Sequence, residues 1–159
     1  MDKNKILSIE SIKNESVEGL VELYRQGYRL DVHPRAFLTS TDTNLCKQIA
    51  DILLEIDISP EFGNSASVQD DIKGADFIIA DLTGNNPNVM YEVGFAHALR
   101  KPVLPIVQSK QTQIPNDLAG YVYITYDASN LGELRNKIHN WVKSWIIRRY
   151  PESGGVQND

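Results

Sequence analysis

The sequence predicts a three-layer α/β domain built on a five-stranded parallel sheet, and three observations lead there. Short apolar runs of strand length alternate along residues 35–126 with longer segments of helical period. One of these runs, Phe77-Ile78-Ile79-Ala80, is apolar without interruption, as a strand covered on both faces must be. The chain has 159 residues, 42% apolar and 23% charged, which suffices for one core of ordinary composition.

The elements follow in order. Residues 1–33 form an N-terminal helical extension, in which Val17, Leu20, Val21 and Tyr24 make an i, i+3, i+4, i+7 stripe. One amphipathic helix over 11–26, closed by Gly27, is expected, packed either on the domain or on a second copy of it. Ala36–Ser40 is the first strand. Asp42 or Thr43 then caps a helix carrying Leu45, Ile49, Ile52, Leu53 and Ile56 on one face. A weak second strand falls at Ile56–Ile58, stopped by Pro60, and a short helix at 67–74. Phe77–Ala80 is the third strand. The turn from Asp81 to Pro87 follows, with Asn86 as N-cap and Pro87 at the first helical position of a helix reaching Leu99. Val103–Val107 is the fourth strand, in which Pro105 implies a bulge or an end. Pro115–Ala119 reads as a helical turn and Tyr121–Tyr126 as the fifth strand. A last helix from about Asn130 carries Leu131, Leu134, Ile138, Trp141, Val142 and Trp145. The domain spans 34–147, and 148–159 is expected to be a flexible tail. Strands separated by helices imply right-handed parallel crossovers, and five of them the order 2-1-3-4-5 of a flavodoxin-like sandwich.

Composition excludes several classes of function. With a net charge of −5, a general nucleic-acid-binding surface is not expected, since phosphate contacts need clustered Lys and Arg. Arg148–Arg149, with Lys143 a turn or so earlier, reads as a solvated helix end. The single cysteine, Cys46, rules out an intrachain disulfide and reads as a small buried residue. The three histidines, His33, His97 and His139, are scattered without metal-ligand spacing, so neither a metal nor a cofactor is expected. No run approaches the ~20 apolar residues of a membrane span, and the stretch Ile6–Ile9 is too short for a signal-peptide core. A cytoplasmic protein is expected.

In the 2-1-3-4-5 order, ligands bind where strands one and three end, here Thr39–Asp42 and Asp81–Asn88. Asp81 ends a buried strand. Gly84, Asn85 and Asn86 make a tight polar turn, and the helix begun by Pro87 presents N–H groups suited to an anionic or strongly polar ligand. Glu92 lies four residues after Asn88, so the two share one helix face. On spacing alone Glu92 is an ordinary solvated glutamate, Asp81 and Asp42 serve as caps or as ligand contacts, and Asn86 is a cap. Tyr91 is expected in or beside the core, and His97 to pack or face solvent. Gly94 weakens its helix by roughly 1 kcal/mol against alanine, which suggests close approach of a neighbour or ligand.

The stretch from Ala75 to Val103, with Asp81, the Gly84–Pro87 turn and Tyr91-Glu92-Val93-Gly94 at its centre, resembles nucleoside 2-deoxyribosyltransferase-like and TIR-like domains. Ile114–Gly120 with Tyr126-Asp127, and more loosely Phe37–Asp42, are similar to the same group, so the resemblance covers about residues 35–127. It implies cleavage of an N-glycosidic bond, with Glu92 as nucleophile or stabiliser of an oxocarbenium-like state and Asp81 as its catalytic companion. Thr39, Ser40, Thr41 and Asp42 would hold a phosphate or ribose, and Gly84, Asn86 and Asn88 would line the rest of the pocket. Two acidic positions of the transferases are Val68 and Asn86 here. A neutral nucleoside needs an acid to protonate its leaving base, whereas nicotinamide leaves NAD neutral. The resemblance therefore points to a nucleotide or nucleoside as partner, an NAD-type dinucleotide first, in a bacterial defence or stress setting. A non-catalytic nucleotide-sensing module and a true deoxyribosyltransferase are the alternatives, and a homo-oligomer fits the exposed apolar extension.

Overall fold

The computed structural model describes residues 3–62, 67–110 and 122–151. A short strand β1 (Ile6–Leu7), helices α1 (Ile9–Asn14) and α2 (Val17–Arg25), and strand β2 (Arg29–Leu30) make the extension, with β1 and β2 paired in parallel. Where the stripe predicts one helix, two form. Glu15 and Ser16 are extended, and the Ser16 hydroxyl accepts a hydrogen bond from the Gly19 N–H at 3.0 Å, restarting the helix.

The domain continues through β3 (Arg35–Thr39), α3 (Thr43–Leu54), β4 (Ser59–Glu61), α4 (Val68–Gly74), β5 (Phe77–Asp81), α5 (Pro87–Ala98), β6 (Val103–Gln108), β7 (Ile124–Tyr126) and α6 (Leu131–Arg149). The sheet is wholly parallel in the order β4-β3-β5-β6-β7, the expected 2-1-3-4-5. Alternation along the strands feeds two cores. Ala36, Leu38, Phe77, Ile79, Leu104 and Ile106 pack with α3 and α6 on one face. Phe37, Ile78, Ala80 and Val107 pack with α4 and α5 on the other. Both faces are covered, which is why the strands read as apolar runs.

The extension docks on this same domain. Ile12, Leu20, Val21, Tyr24 and Leu30 are buried in one cluster with Leu134, Ile138, Val142 and Ile146 of α6. Phe77 meets Trp141 and Trp145 at ring-centroid distances of 5.1 and 4.8 Å, edge-on and tilted, a geometry that favours aromatic pairs. Arg135 grips the Glu55 carboxylate with two nitrogens at 3.0 and 2.8 Å, tying α6 to the end of α3.

Both prolines placed near strand ends lie inside strands instead. The Ser59 N–H bonds the Pro34 carbonyl at 3.0 Å, so at the next residue Pro60 turns its missing N–H away from β3, off the sheet edge. The second strand therefore runs over 59–61 rather than 56–58, while Ile56 and Ile58 are core residues. In β6, Ile106 bonds toward β5 and Ser109 toward β7, so the odd-numbered Pro105 faces β7, one step before the pairing with Ile124 begins. No ladder bond is lost and no bulge is needed. The last strand begins at Ile124, and the turn expected at Pro115–Ala119 lies outside the described residues, as does the tail from 152.

Candidate active site

The carboxyl ends of β3 and β5 are neighbours from which α3 and α5 depart onto opposite faces, the switch point at which this architecture places its ligand crevice. Asp81 closes β5 and is 4% exposed. Its carboxylate accepts from the Ser40 hydroxyl at 2.7 Å, the Tyr126 hydroxyl at 3.1 Å and the Thr83 N–H at 3.1 Å. A buried charge needs such partners. Ser40 in turn accepts from the Asp42 N–H at 3.0 Å, and the Thr83 hydroxyl accepts from the Gln108 N–H at 2.9 Å. Asp81 thus pins together the ends of three strands.

Burial, reinforced by the Asp81 carboxylate, pushes the Tyr126 phenol up to about 12, so it stays a proton donor at neutral pH. The Cys46 thiol, in the first turns of α3, is pushed up to about 11 by burial first and then by the charges of Asp81, Asp42 and Glu92. This places three carboxylates around one point and leaves the thiol protonated and unreactive. Glu92 is half-buried, and its Oε2 is enclosed with no hydrogen-bond partner among the described residues. The Oδ1 of Asn85 is in the same condition.

The other expected residues sort into two groups. Thr39 is buried at the end of β3 and Ser40 is held by Asp81, so both belong to the frame of the crevice. Asp42 caps α3, accepting from the Asn44 and Leu45 N–H groups at 3.0 and 3.1 Å. Asn86 caps α5 in the same way, through Asn88 at 2.9 Å and Val89 at 3.3 Å. Gly84 adopts φ +81° in the turn, where a side chain would be strained although nothing lies within 4 Å. Thr41 and Asn88 are exposed.

Two expectations about α5 are corrected. Tyr91 is 57% exposed, with its ring stacked on Phe95 and its hydroxyl accepting from Gln69 at 2.8 Å. Gly94 brings no neighbour near, since a side chain added there meets nothing within 4 Å. Tyr126, Thr83 and Asn85 were read from the sequence only as parts of the fifth strand and of the turn, not as site residues. The available signal for Tyr126 was its place at the carboxyl end of the fifth strand.

A cavity of about 340 Å³ opens beside Tyr126, between the ends of β6 and β7, lined by Gln108, Lys110, Asp127 and Ser129 among others. A larger one of about 590 Å³ lies between the β1–β2 pair and Tyr150. Size alone would favour the latter, but the linked and unpartnered polar groups converge at the strand carboxyl ends, which is where chemistry is placed in this architecture. Among the described residues, no group of three or more His, Cys, Asp or Glu is arranged to hold a metal ion, and no helix is long and apolar enough to cross a membrane.

No known protein family matches the sequence, and no curated protein matches it either. Among solved structures, the chain is similar to the Clostridium botulinum CMP N-glycosidase BcmB, with a TM-score of 0.52 and 22% identity over 65% of this chain and 97% of that one. A 2-deoxyribosyltransferase from Leishmania mexicana gives 0.47, 14%, 64% and 97% in the same terms. A response regulator from Colwellia psychrerythraea gives 0.48, 13%, 72% and 99%. At such identities the likeness to the N-glycosidase concerns the fold, and together with the strand order it makes this chain a flavodoxin-like three-layer α/β protein.

Proposed function

We propose that this protein is an N-glycosidase that cleaves the bond between ribose C1′ and a base, with Glu92 as the catalytic carboxylate. The observation that carries the reading is the enclosed, unpartnered Oε2 of Glu92, a carboxylate whose charge acts on Cys46 together with those of Asp81 and Asp42. A half-buried carboxylate oxygen without a donor is costly to maintain, and such cost is characteristic of sites that wait for a ligand. The fold shared with a CMP N-glycosidase supports the same chemistry.

The preferred leaving group is one that departs uncharged without being protonated, as nicotinamide does from an NAD-type glycoside. The C1′–N bond breaks with its electron pair passing to the ring nitrogen, and the oxocarbenium-like charge at C1′ faces the Glu92 carboxylate. Water supplies the oxygen that bonds C1′ and releases one proton, giving free base and ribose-bearing product. Asp81 is a positioning residue in this reading. All of its described contacts come from the protein's own donors, and it fixes Ser40 and Tyr126 at the floor of the crevice.

The test is to incubate the protein with NAD, NADP, nicotinamide riboside and a panel of deoxynucleosides, with and without a second free base, and to separate the products by chromatography. Release of nicotinamide supports the proposal. Base exchange would make the protein a deoxyribosyltransferase instead, and ligand binding without product would make it a nucleotide sensor whose binding survives Glu92→Gln.

A further inference from the structure

We propose that the glycoside this crevice takes is a nucleoside with a positively charged base and no 5′-phosphate, so that nicotinamide riboside is preferred over its monophosphate. This rests on the N-glycosidase reading of the same crevice and narrows it to a substrate class.

A phosphate in an open α/β sheet is held by free N–H groups at a helix N-terminus or by Lys and Arg. Both helices that begin at the crevice have spent most of those groups internally. At α5, Pro87 has no N–H, those of Asn88 and Val89 go to the Asn86 side chain, and that of Met90 goes to the Asn86 carbonyl at 3.0 Å. At α3, the N–H groups of Asn44 and Leu45 go to the Asp42 carboxylate and that of Cys46 to the Asp42 carbonyl at 3.1 Å. The cap at α3 is itself an anion, and it occupies the place a phosphate would need.

Charge points the same way. Among the described residues that follow the five strands, 40–42, 62, 67, 82–86, 109–110 and 127–130, Lys110 is the sole Lys or Arg. Its charge already acts on Asp127. Against it stand Asp42, Asp81 and Glu92, whose charges meet at Cys46. Carboxylates gathered in a cleft with low-dielectric walls attract a cation and repel an anion. An independent observation agrees. The two enclosed atoms without partners here, Glu92 Oε2 and Asn85 Oδ1, are both acceptors. Ribose hydroxyls bring donors to such atoms, and a phosphate dianion brings further acceptors.

The experiment measures binding by calorimetry and nicotinamide release by chromatography, on the full chain, with four probes: nicotinamide riboside, its reduced and uncharged form, nicotinamide mononucleotide and NAD. The expected result is that the riboside binds at least about tenfold more tightly than the mononucleotide, with the reduced riboside also weaker, and that the gap shrinks at high salt. Asp42→Asn, which keeps a capping side chain and removes the charge, should narrow the gap between riboside and mononucleotide. Equal or tighter binding of the mononucleotide, or no riboside binding at about 10 mM, overturns the inference. Faster release from the mononucleotide overturns it while leaving the N-glycosidase reading intact. The expected order of binding without any release keeps the inference and overturns that reading.

Discussion

The two faces of the sheet are built to different depths. On one, α3, α6 and the N-terminal helices enclose a continuous apolar cluster running from Leu7 to Ile146. On the other, a much smaller cluster lies under α4 and α5 alone, helices of 7 and 12 residues. Glu92 is carried by the thin side, while Asp81, Ser40 and Tyr126 hold its counterpart against the thick one. The difference teaches how a small α/β protein separates duties. One face supplies the burial that offsets chain entropy, and the other is left free to present a polar helix start and a carboxylate.

The strongest way to break this contrast is to remove residues 1–33. That exposes Leu134, Ile138, Val142 and Ile146 of α6 at once, so the remaining chain should lose its cooperative thermal transition and its solubility. A stable, soluble fragment would show that the thick face does not depend on its outer layer.

Matched truncations sharpen the comparison. Ile138 and Ile72 are both 0% exposed, one on each face. Each change to alanine should cost about 2–5 kcal/mol in denaturant unfolding, Ile138→Ala toward the upper end, because the short α4 can settle into the space left by Ile72 whereas α6 is held on several sides. Equal losses would mean that the two faces are equally rigid.

Acidification should act first through His139 on the thick face. The Nε2 of His139 donates to the Ile52 carbonyl at 2.8 Å, while Nδ1 is enclosed and has no partner among the described residues. Burial lowers the folded-state pKa of His139 below its ordinary 6.5, so the unfolded chain binds the extra proton first. Stability from this group is complete above about pH 6.5 and is lost as the pH falls toward the lowered folded value. Burial lowers His97 in the same direction. Melting temperatures should therefore drop below pH 6.5, and His139→Gln should flatten that drop.

The smallest effect belongs to the thin face. Gly94→Ala meets open space on α5 and should stabilise the protein by about 0.5–1 kcal/mol through helix propensity. Destabilisation there would reveal a neighbour that this structure does not contain.

Much of the frame was legible because it is local. Asp42, Asn86 and Pro87 announce helix starts whatever lies around them, and Phe77–Ala80 announces a strand covered on both faces. What was not legible depends on distant partners or on orientation. The bond from Tyr126 to Asp81 spans 45 residues and exists only once the strand order is set. The prolines misled because a missing N–H matters only on the side where a strand is paired, which periodicity does not reveal. Strands β1 and β2 are two residues each, too short to show any period. At the strand ends, Ser40, Asp42 and Asp81 stood out from topology, whereas Asn85 was legible only as part of the turn beside Asn86, the better cap.

The central claim is that the carboxylate of Glu92 does the chemistry while the frame around it stands without it. The most direct measurement compares the rate of nicotinamide release by the wild type and by Glu92→Gln, alongside their thermal transitions. The account predicts a fall in rate of at least about 10²-fold with the transition unchanged or raised, since the replacement keeps the shape and removes a charge that lacks a partner. A variant that folds equally well and retains the wild-type rate would contradict it.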